Sequence, residues 1–434
     1  MRPRDRLRRL GQLYGIEPSY LDVYGRRRRL SEPTARALLA AMGAAVGSEA
    51  EIADSLREAE ARPWRRMLAP VYVLARPEPL EITFTLADPR GGLARWRVVE
   101  ETGAVHEGEV RLDDLPTAAE AEVNGERYRR RRLRLPAALG DGYHRLQLAV
   151  SGRGGADAEG KCRLVVAPAT CFLPEHETDG GRLWGVACQL YGVRSERNWG
   201  MGDFSDLARL AEKAAALGAG ALGVNPLHAL FPADANHISP YSPSSRSFVN
   251  VLYLDPEAVP DLGECAAARA LLGRPGFRDE VATARAAEYV DYPAVWRLKL
   301  PVLERLFASF RERHRDDPAS ERGRAFRAFR AEMGEDLEHH ALFDALHEHV
   351  IETTGAWAWQ HWPEAYRRPD GPAVEAFAAK HRDRVDFFCW LQWLADAQLK
   401  DAQARARAAG MPIGLYQDIA VAVNPASSMA WANP

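Results

Sequence analysis

The hydrophobic period changes along the 434-residue chain, and these changes divide it into segments with different expected folds. Residues 1–64 have a helical pattern, with Ser31 as a predicted helix N-cap. Over 65–170, apolar and polar residues alternate, and after residue 180 the pattern becomes strand, helix and strand. We therefore predict a short helical segment at 1–64, a second domain at 65–170 and a third at 180–434.

The middle segment has the pattern of a β-sandwich. Apolar residues alternate with polar ones over 80–86 and 146–150, and Asn124-Gly125 is a typical hairpin turn. Roughly seven short strands in ~100 residues are typical of an immunoglobulin-like sandwich. The basic run at 129–132 lies inside one of these strands, and a solvated sheet edge or face is favoured over a phosphate-binding patch.

The third segment has the pattern of a parallel α/β fold. Strand candidates at 183–193 and 221–226 flank a helix over 203–217, and this order makes a βαβ unit. Further elements are predicted after this unit, namely helices near 293–310, 320–350 and 373–409 and a buried strand over 412–421.

Composition excludes several functional classes. With 57 basic and 60 acidic residues the formal net charge is −3, so a nucleic-acid partner is not expected. Apolar runs stay well below the ~18–20 residues that span a bilayer, and the basic first residues lack the apolar stretch of a signal peptide. The five cysteines are scattered without a C-x-x-C pair, which excludes a disulfide framework and suits a cytoplasmic protein.

Two motifs that suggest cofactors have simpler interpretations. The G-x-G-x-x-G match at 218–223 closes a helix and opens a strand, which is the reverse of a dinucleotide site. His339, His340, His347 and His349 crowd one helix without a metal-binding motif, so a solvated helix face is favoured over a metal site. Neither motif therefore predicts a cofactor site or a metal site.

The loop at 231–246 follows the end of a predicted strand, where parallel α/β folds place ligand sites. It contains Tyr241, several hydroxyls and Arg246, groups that suit a sugar, although a plain structured loop remains an alternative. Asp418 ends the predicted strand at 413–418, so its carboxylate should emerge at the same face. A local cap explains Asp418 equally well on these residues alone.

Several ordered blocks resemble the bacterial 4-α-glucanotransferases of glycoside hydrolase family 77, called amylomaltases or disproportionating enzymes. The blocks are LYGVRS at 190–195, NWGMGDF at 198–204, NPLHAL at 225–230, SPYSPSSR at 239–246, VDFFCWLQWL at 385–394 and IGLYQDIAVAV at 413–423. Together they cover most of 183–434, and the N-terminal segments resemble the longer form of this family.

The resemblance implies a (β/α)8 barrel that transfers α-1,4-glucan segments between maltooligosaccharides by a retaining double displacement, without a metal or cofactor. Ser239 and Tyr241 match the family's sugar-binding loop. Asp418 matches the aspartate after the third barrel strand, which contacts the same sugar. Gln417 departs from the family, which commonly has arginine there, and this puts in doubt an ion pair between that strand and neighbouring acids.

The family's catalytic aspartate and glutamate lie on strands after the block that matches WANP at 431–434, so no catalytic residue is expected within this chain. Residues 180–434 offer about three parallel strands, whereas a closed barrel has eight. We expect an α/β fold with a partial (β/α)8 TIM barrel. We also expect the chain to be an N-terminal fragment of such an enzyme and to have no catalytic activity by itself. The alternatives are a non-catalytic glucan-binding protein, a related hydrolase and, more weakly, a polyanion-binding protein using 26–29 and 129–132.

Overall fold

The structure is a computed structural model, and it describes residues 3–87, 90–136, 139–153, 158–171 and 182–433. The chain divides into two compact units, Met1–Phe172 and Leu173–Pro434. The predicted domain boundary at residue 180 lies outside the described residues. No helix in the described ranges is long and apolar enough to cross a membrane.

The first unit begins with three helices, Pro3–Leu13, Glu32–Ala41 and Glu49–Arg65, and a short pair of strands, Ser19–Leu21 and Arg27–Arg29. Ser31 caps the second helix, as predicted, because its Oγ accepts a hydrogen bond from the Thr34 N–H at 3.2 Å. The helices share a small core around Leu10 and Ile52.

Two antiparallel-rich sheets follow and enclose a separate core, which confirms the predicted β-sandwich. The larger sheet has the strand order Val71–Ala75, Ala158–Ala167, Gly142–Arg153, Arg90–Val99 and Val105–Arg111. The smaller sheet has the order Glu81–Ala87, Glu126–Arg134 and Thr117–Val123. Phe84 from the smaller sheet and Leu148 from the larger one are both fully buried in this core, as the alternating pattern predicts.

The basic run at 129–132 is not at a sheet edge, so that part of the prediction is wrong. Strand Glu126–Arg134 is the central strand of the smaller sheet. Arg131 is buried, and its guanidinium donates to the Leu115 carbonyl at 2.9 Å. Arg130 lies over the Trp64 ring, 4.5 Å from its centroid. These arginines therefore pack within the unit, which leaves less of the run for a polyanion.

The second unit contains the predicted parallel sheet. Its strands run in the order Gly185–Cys188, Ala221–Val224 and Gly414–Gln417, and Gly223 pairs with both neighbours. Helix Phe204–Ala216 connects the first two strands and begins after Asp203, which caps it in a reciprocal capping box. The βαβ unit is thus confirmed.

The strand predicted over 412–421 is shorter and less buried than expected. Only Gly414–Gln417 is in the sheet, at its edge within the described residues. Tyr416, Ile419 and Val421 are exposed, with 91% of Val421 accessible. The prediction of burial rested on the apolar residues of this segment. Whether a strand is buried depends also on the neighbours that cover it, which the pattern does not show.

The rest of the second unit is mainly helical. Its helices are Ala266–Leu272, Pro275–Ala286, Tyr292–Phe310, Glu321–Thr354, Pro372–Lys380, Arg382–Ala408 and Ser428–Ala432. A two-stranded hairpin, His228–Ala229 with Ser245–Val249, follows the second parallel strand. Aromatic side chains at 387–394 are buried in the core, and Trp390 contacts the rings of Phe307 and Phe310.

Candidate functional site

The candidate site lies at the carboxyl end of the parallel sheet. Because the three strands run in the same direction, the segments that follow Cys188, Val224 and Gln417 emerge at one edge. The second strand leads into Asn225, and the third leads directly into Asp418. The sheet therefore gathers loops that are distant in sequence.

Tyr241 and Asp418 meet at this edge, as the sequence predicts. The Tyr241 hydroxyl donates a hydrogen bond to Asp418 Oδ2 at 3.1 Å, across 177 residues of sequence. The Asp418 N–H donates to the Val224 carbonyl at 3.1 Å and so continues the strand ladder. Asp418 Oδ1 also accepts from the Ile419 N–H at 2.8 Å, so the carboxylate combines a local cap with the contact to Tyr241.

The tyrosine ring remains accessible, with 57% of Tyr241 exposed. Its hydrogen bond to the Asp418 carboxylate raises the pKa of the phenol. Tyr241 is therefore neutral around pH 7, and its ring and the carboxylate together present an apolar face and a hydrogen-bond acceptor to solvent. This pairing suits a hydroxyl-rich ligand with an apolar ring face.

Ser239 lies two residues before Tyr241 and is exposed. Its carbonyl accepts from the Ser242 N–H at 3.2 Å, which closes a turn around Pro240 and Tyr241. Within the described part of the chain its hydroxyl has no hydrogen-bond partner, so the group is available to a ligand. The three predicted binding residues thus lie on two segments joined by the Tyr241–Asp418 contact.

Hydrogen bonds from the 424–428 segment hold the Tyr241 loop. Asn424 Nδ2 donates to Ser242 Oγ at 3.0 Å. Ser428 Oγ donates to the buried Ser244 carbonyl at 3.0 Å. These contacts fix the loop against the segment that follows Asp418, and so restrict the separation between Tyr241 and Asp418.

Two basic residues hold the chain just after Asp418. His228 Nε2 accepts a hydrogen bond from the Ala420 N–H at 3.2 Å, which requires an unprotonated Nε2. Burial lowers the pKa of His228, in agreement with a neutral ring. Arg246 donates to the Val421 carbonyl at 3.2 Å. The exposed segment is therefore anchored through its backbone.

Asn225 is a site residue whose role the sequence reasoning missed. Its Oδ1 accepts from the Leu190 N–H at 2.8 Å, and its Nδ2 donates to the Pro226 carbonyl and to the Tyr253 hydroxyl. The side chain is buried, and it links the end of the first strand to the end of the second. Its position directly after a strand, inside the block at 225–230, was the available signal.

Comparison with known proteins now decides the family. A family model described as 4-alpha-glucanotransferase, of glycoside hydrolase family 77, matches residues 188–434, which is more than half of the chain. The chain belongs to glycoside hydrolase family 77. Residues 67–168 match the MalQ N-terminal beta sandwich domain, in agreement with the two-sheet structure of this region.

Relatives in family 77 extend the similarity over nearly the whole chain. A 4-alpha-glucanotransferase of Mycobacterium tuberculosis is 36% identical over 435 residues, covering 98% of this chain and 56% of that protein. One from Haemophilus influenzae is 36% identical over 281 residues, covering 63% of this chain and 40% of that protein. The chain spans about half the length of the Mycobacterium relative.

A solved structure supports the same assignment. The amylomaltase from Corynebacterium glutamicum superimposes with a TM-score of 0.76 at 28% sequence identity, covering 98% of this chain and 56% of that one. The similarity therefore extends over residues of both compact units. An amylomaltase fold with an N-terminal β-sandwich is thus established for this family 77 chain.

The histidine-rich helix of this family 77 chain is not solvated at His340 and His347, so that prediction is wrong at these positions. Only 3% of His340 and 1% of His347 is exposed. His340 Nδ1 lies 2.9 Å from Ser428 Oγ, and the ring stacks on Phe248. Among the described residues, no group of three His, Cys, Asp or Glu side chains could hold a metal ion.

His340 indirectly positions the loop that carries Tyr241. Ser428 Oγ donates to the Ser244 carbonyl, so it accepts from His340 Nδ1–H. Burial lowers the pKa of His340 to about 3 and raises that of Asp344, whose Oδ2 is 3.7 Å from Nε2. The neutral ring thus supports Ser428, which holds the loop three residues after Tyr241.

We expect the contribution of His340 to stability to fall as the pH decreases from about 6.5. Because the folded state keeps His340 neutral to about pH 3, this histidine binds a proton only in the unfolded state over this interval, and its titration favours unfolding. The raised pKa of Asp344 acts in the opposite sense, so the effect of His340 is isolated by comparing variants. A buried histidine that stays neutral in the folded state should lower the free energy of unfolding by about 1 kcal/mol for each pH unit below 6. Urea denaturation between pH 7 and pH 4 measures this slope.

Two single variants are compared, His340→Asn and His361→Asn. The second is the control, because His361 is exposed. His340→Asn should flatten the slope, because the unfolded chain then has one proton fewer to bind. His361→Asn should leave it unchanged. Equal slopes in all three proteins would contradict the assignment of His340 as a buried neutral group.

Proposed function

We propose that this chain forms the glucan-binding part of a 4-α-glucanotransferase that moves α-1,4-glucan segments between maltooligosaccharides. The observation that carries the proposal is the contact of the Tyr241 hydroxyl with Asp418 at the carboxyl end of the parallel sheet. In this arrangement the tyrosine ring packs on a glucosyl unit, while Asp418 and Ser239 hydrogen-bond its hydroxyls. Family membership and the names of the relatives support this activity.

The fold that we propose for residues 180–434 is part of a (β/α)8 barrel. A (β/α)8 barrel would begin with parallel strands joined by helices, and the three parallel strands here, with a helix between the first two, fit that start. The edge strand Gly414–Gln417 leads into the exposed Ile419 and Val421, apolar residues that a further barrel strand would cover. The greater length of the relatives is consistent with additional barrel strands.

The chemistry that we propose is a retaining double displacement. An aspartate forms a covalent glucosyl-enzyme while a glutamate protonates the leaving sugar, and the same glutamate then activates the acceptor hydroxyl. Such carboxyl groups lie ~5–5.5 Å apart. By resemblance they follow the block at 431–434, of which Pro434 lies outside the described residues. We accordingly propose that these 434 residues bind glucan without turning it over.

The remaining assignments complete the proposal. A helical segment at 1–64, a sandwich domain at 65–170 and a catalytic domain at 180–434 are the proposed domains. We infer a cytoplasmic location, which suits cysteines that are unpaired throughout the described ranges. The proposed partners are α-1,4-glucans and maltooligosaccharides, with no resident metal or cofactor.

Binding of maltoheptaose tests the site directly. Replacing Tyr241 by alanine removes both the ring face and the contact to Asp418, so the dissociation constant should rise by about tenfold or more. Isothermal titration calorimetry on the whole chain provides the measurement. The control is Tyr289→Ala, which removes an exposed tyrosine elsewhere in the second unit. Equal affinities for the two variants would contradict a glucan site at Tyr241.

Incubation with maltotriose tests the catalytic part of the proposal. We expect these residues alone to leave maltotriose unchanged, because the proposed nucleophile and acid/base are not among them. Chromatography of the oligosaccharides measures the outcome. Glucose together with longer oligosaccharides would contradict the proposed dependence on further strands. Hydrolytic products without longer ones would instead indicate a related hydrolase.

A further inference from the structure

A cavity in the second unit shares no lining residue with the Tyr241 site, and its walls come mainly from helices Ala266–Leu272 and Pro275–Ala286. Its volume is about 470 Å³, within the range typical of small-molecule sites. Its walls are formed by the residues Trp199, Glu257, Arg269, Leu272, Gly273, Phe277, Arg278, Val281 and Arg285. Three guanidinium groups and one carboxylate therefore share a small concave surface.

The three arginines contact backbone carbonyls, which carry no net charge. Arg269 donates to the Leu262 and Gly263 carbonyls, and Arg278 Nε donates to the Leu272 carbonyl at 3.3 Å. Arg285 Nε donates to the Asn198 carbonyl at 2.8 Å.

In the described part of the chain none of these arginines forms an ion pair with a carboxylate, so their charge is uncompensated there. The single acidic group in the cavity, Glu257, receives the Trp199 indole N–H at 3.0 Å. The cavity therefore has an excess of positive charge.

A helix end adds to this positive potential. Helix Pro275–Ala286 begins at the cavity, and Phe277 and Arg278 of its first turn line the wall. Arg274 at the N-cap position makes no side-chain capping bond. The partial positive charge of this N-terminus therefore lies beside the guanidinium groups.

The cavity is built on rigid contacts. Gly200 has φ +91°, and a Cβ there would lie 2.6 Å from the Ala284 carbonyl, so the helix packs directly on the loop after the first strand. The Trp199 and Phe277 rings meet edge to face with centroids 5.3 Å apart. This close packing preforms the site.

Neutral glucan is a poor match for this cavity. Glucan carries no charge, so it would leave the positive charge of the cavity without a partner. Three guanidinium groups at a helix N-terminus instead match a phosphate, which accepts several charge-assisted hydrogen bonds. Leu272, Phe277 and Val281 form an apolar wall beside them.

We propose that this cavity binds a small phosphate-bearing metabolite, with its phosphate held by Arg269, Arg278 and Arg285 and its less polar part against Phe277. The cavity shares no residue with the proposed glucan site, so variants at each can be tested without changing the other. A sugar phosphate and a nucleotide share this chemistry, and the ligands used in the test distinguish them.

Isothermal titration calorimetry on the whole chain, with orthophosphate, glucose 1-phosphate, ATP, sulfate and maltose as probes, tests the proposal. We expect glucose 1-phosphate or ATP to bind more tightly than orthophosphate, and whichever binds more tightly identifies the ligand class. The double variant that carries Arg269→Gln and Arg278→Gln should bind this ligand about tenfold or more weakly. The control, Arg209→Gln with Arg313→Gln, removes the same charge at exposed positions outside the cavity and should change affinity by less than about twofold.

A second variant adds charge without removing a contact. The Cβ of a residue at Gly276 would meet no atom within 4 Å. Gly276→Asp should therefore fold normally, since a carboxylate stabilises a helix N-terminus, and it should weaken phosphate binding by repulsion.

Several outcomes would overturn the proposal. These are no binding of any phosphate compound, sulfate binding as tightly as the best phosphate compound, and equal losses in the cavity and control variants. Maltose binding that is lost with Arg269→Gln and Arg278→Gln would also overturn it, because it would assign the cavity to neutral glucan.

Discussion

The pairing of strand Gly414–Gln417 with strand Ala221–Val224 is the contact on which the candidate site depends. It joins segments almost 200 residues apart, and the bond from the Asp418 N–H to the Val224 carbonyl extends it by one residue. A slip of one residue would turn the Asp418 side chain to the other face of the sheet. The register therefore determines whether Tyr241 and Asp418 meet at all.

Buried polar contacts then hold the loops around this sheet. In the loop after the first strand, Arg197 bridges Asp203 and Asp255 at 3.3 and 2.9 Å. The buried Lys299 donates to two backbone carbonyls at 2.6 and 2.7 Å, while burial raises the pKa of Asp203 to about 6. Buried polar groups are costly unless they are satisfied, so these contacts favour one loop arrangement. The exposed groups of the candidate site are thereby carried on a rigid frame.

The sequence predicted the features that depend on local pattern and strand direction. Alternation and turns predicted the sandwich, and the rule that parallel strands share a carboxyl edge predicted that Tyr241 and Asp418 lie at one edge. It did not predict the burial of His340, because a histidine is buried or solvated according to what packs on its helix. Its contact with Ser428 crosses 88 residues, and no local pattern encodes such a pairing. The contact of Asn225 Oδ1 with the Leu190 N–H, across 35 residues, was missed for the same reason, although the position of Asn225 after a strand could be read from the sequence.

We propose that Tyr241 and Asp418 act together on glucan, and a double-mutant cycle on maltoheptaose affinity measures this most directly. The cycle compares the chain with Tyr241→Phe, Asp418→Asn and both changes, by isothermal titration calorimetry. Because the two side chains share a hydrogen bond, their effects should be non-additive by about 1 kcal/mol. Strictly additive effects, or unchanged affinity in all three variants, would contradict the account.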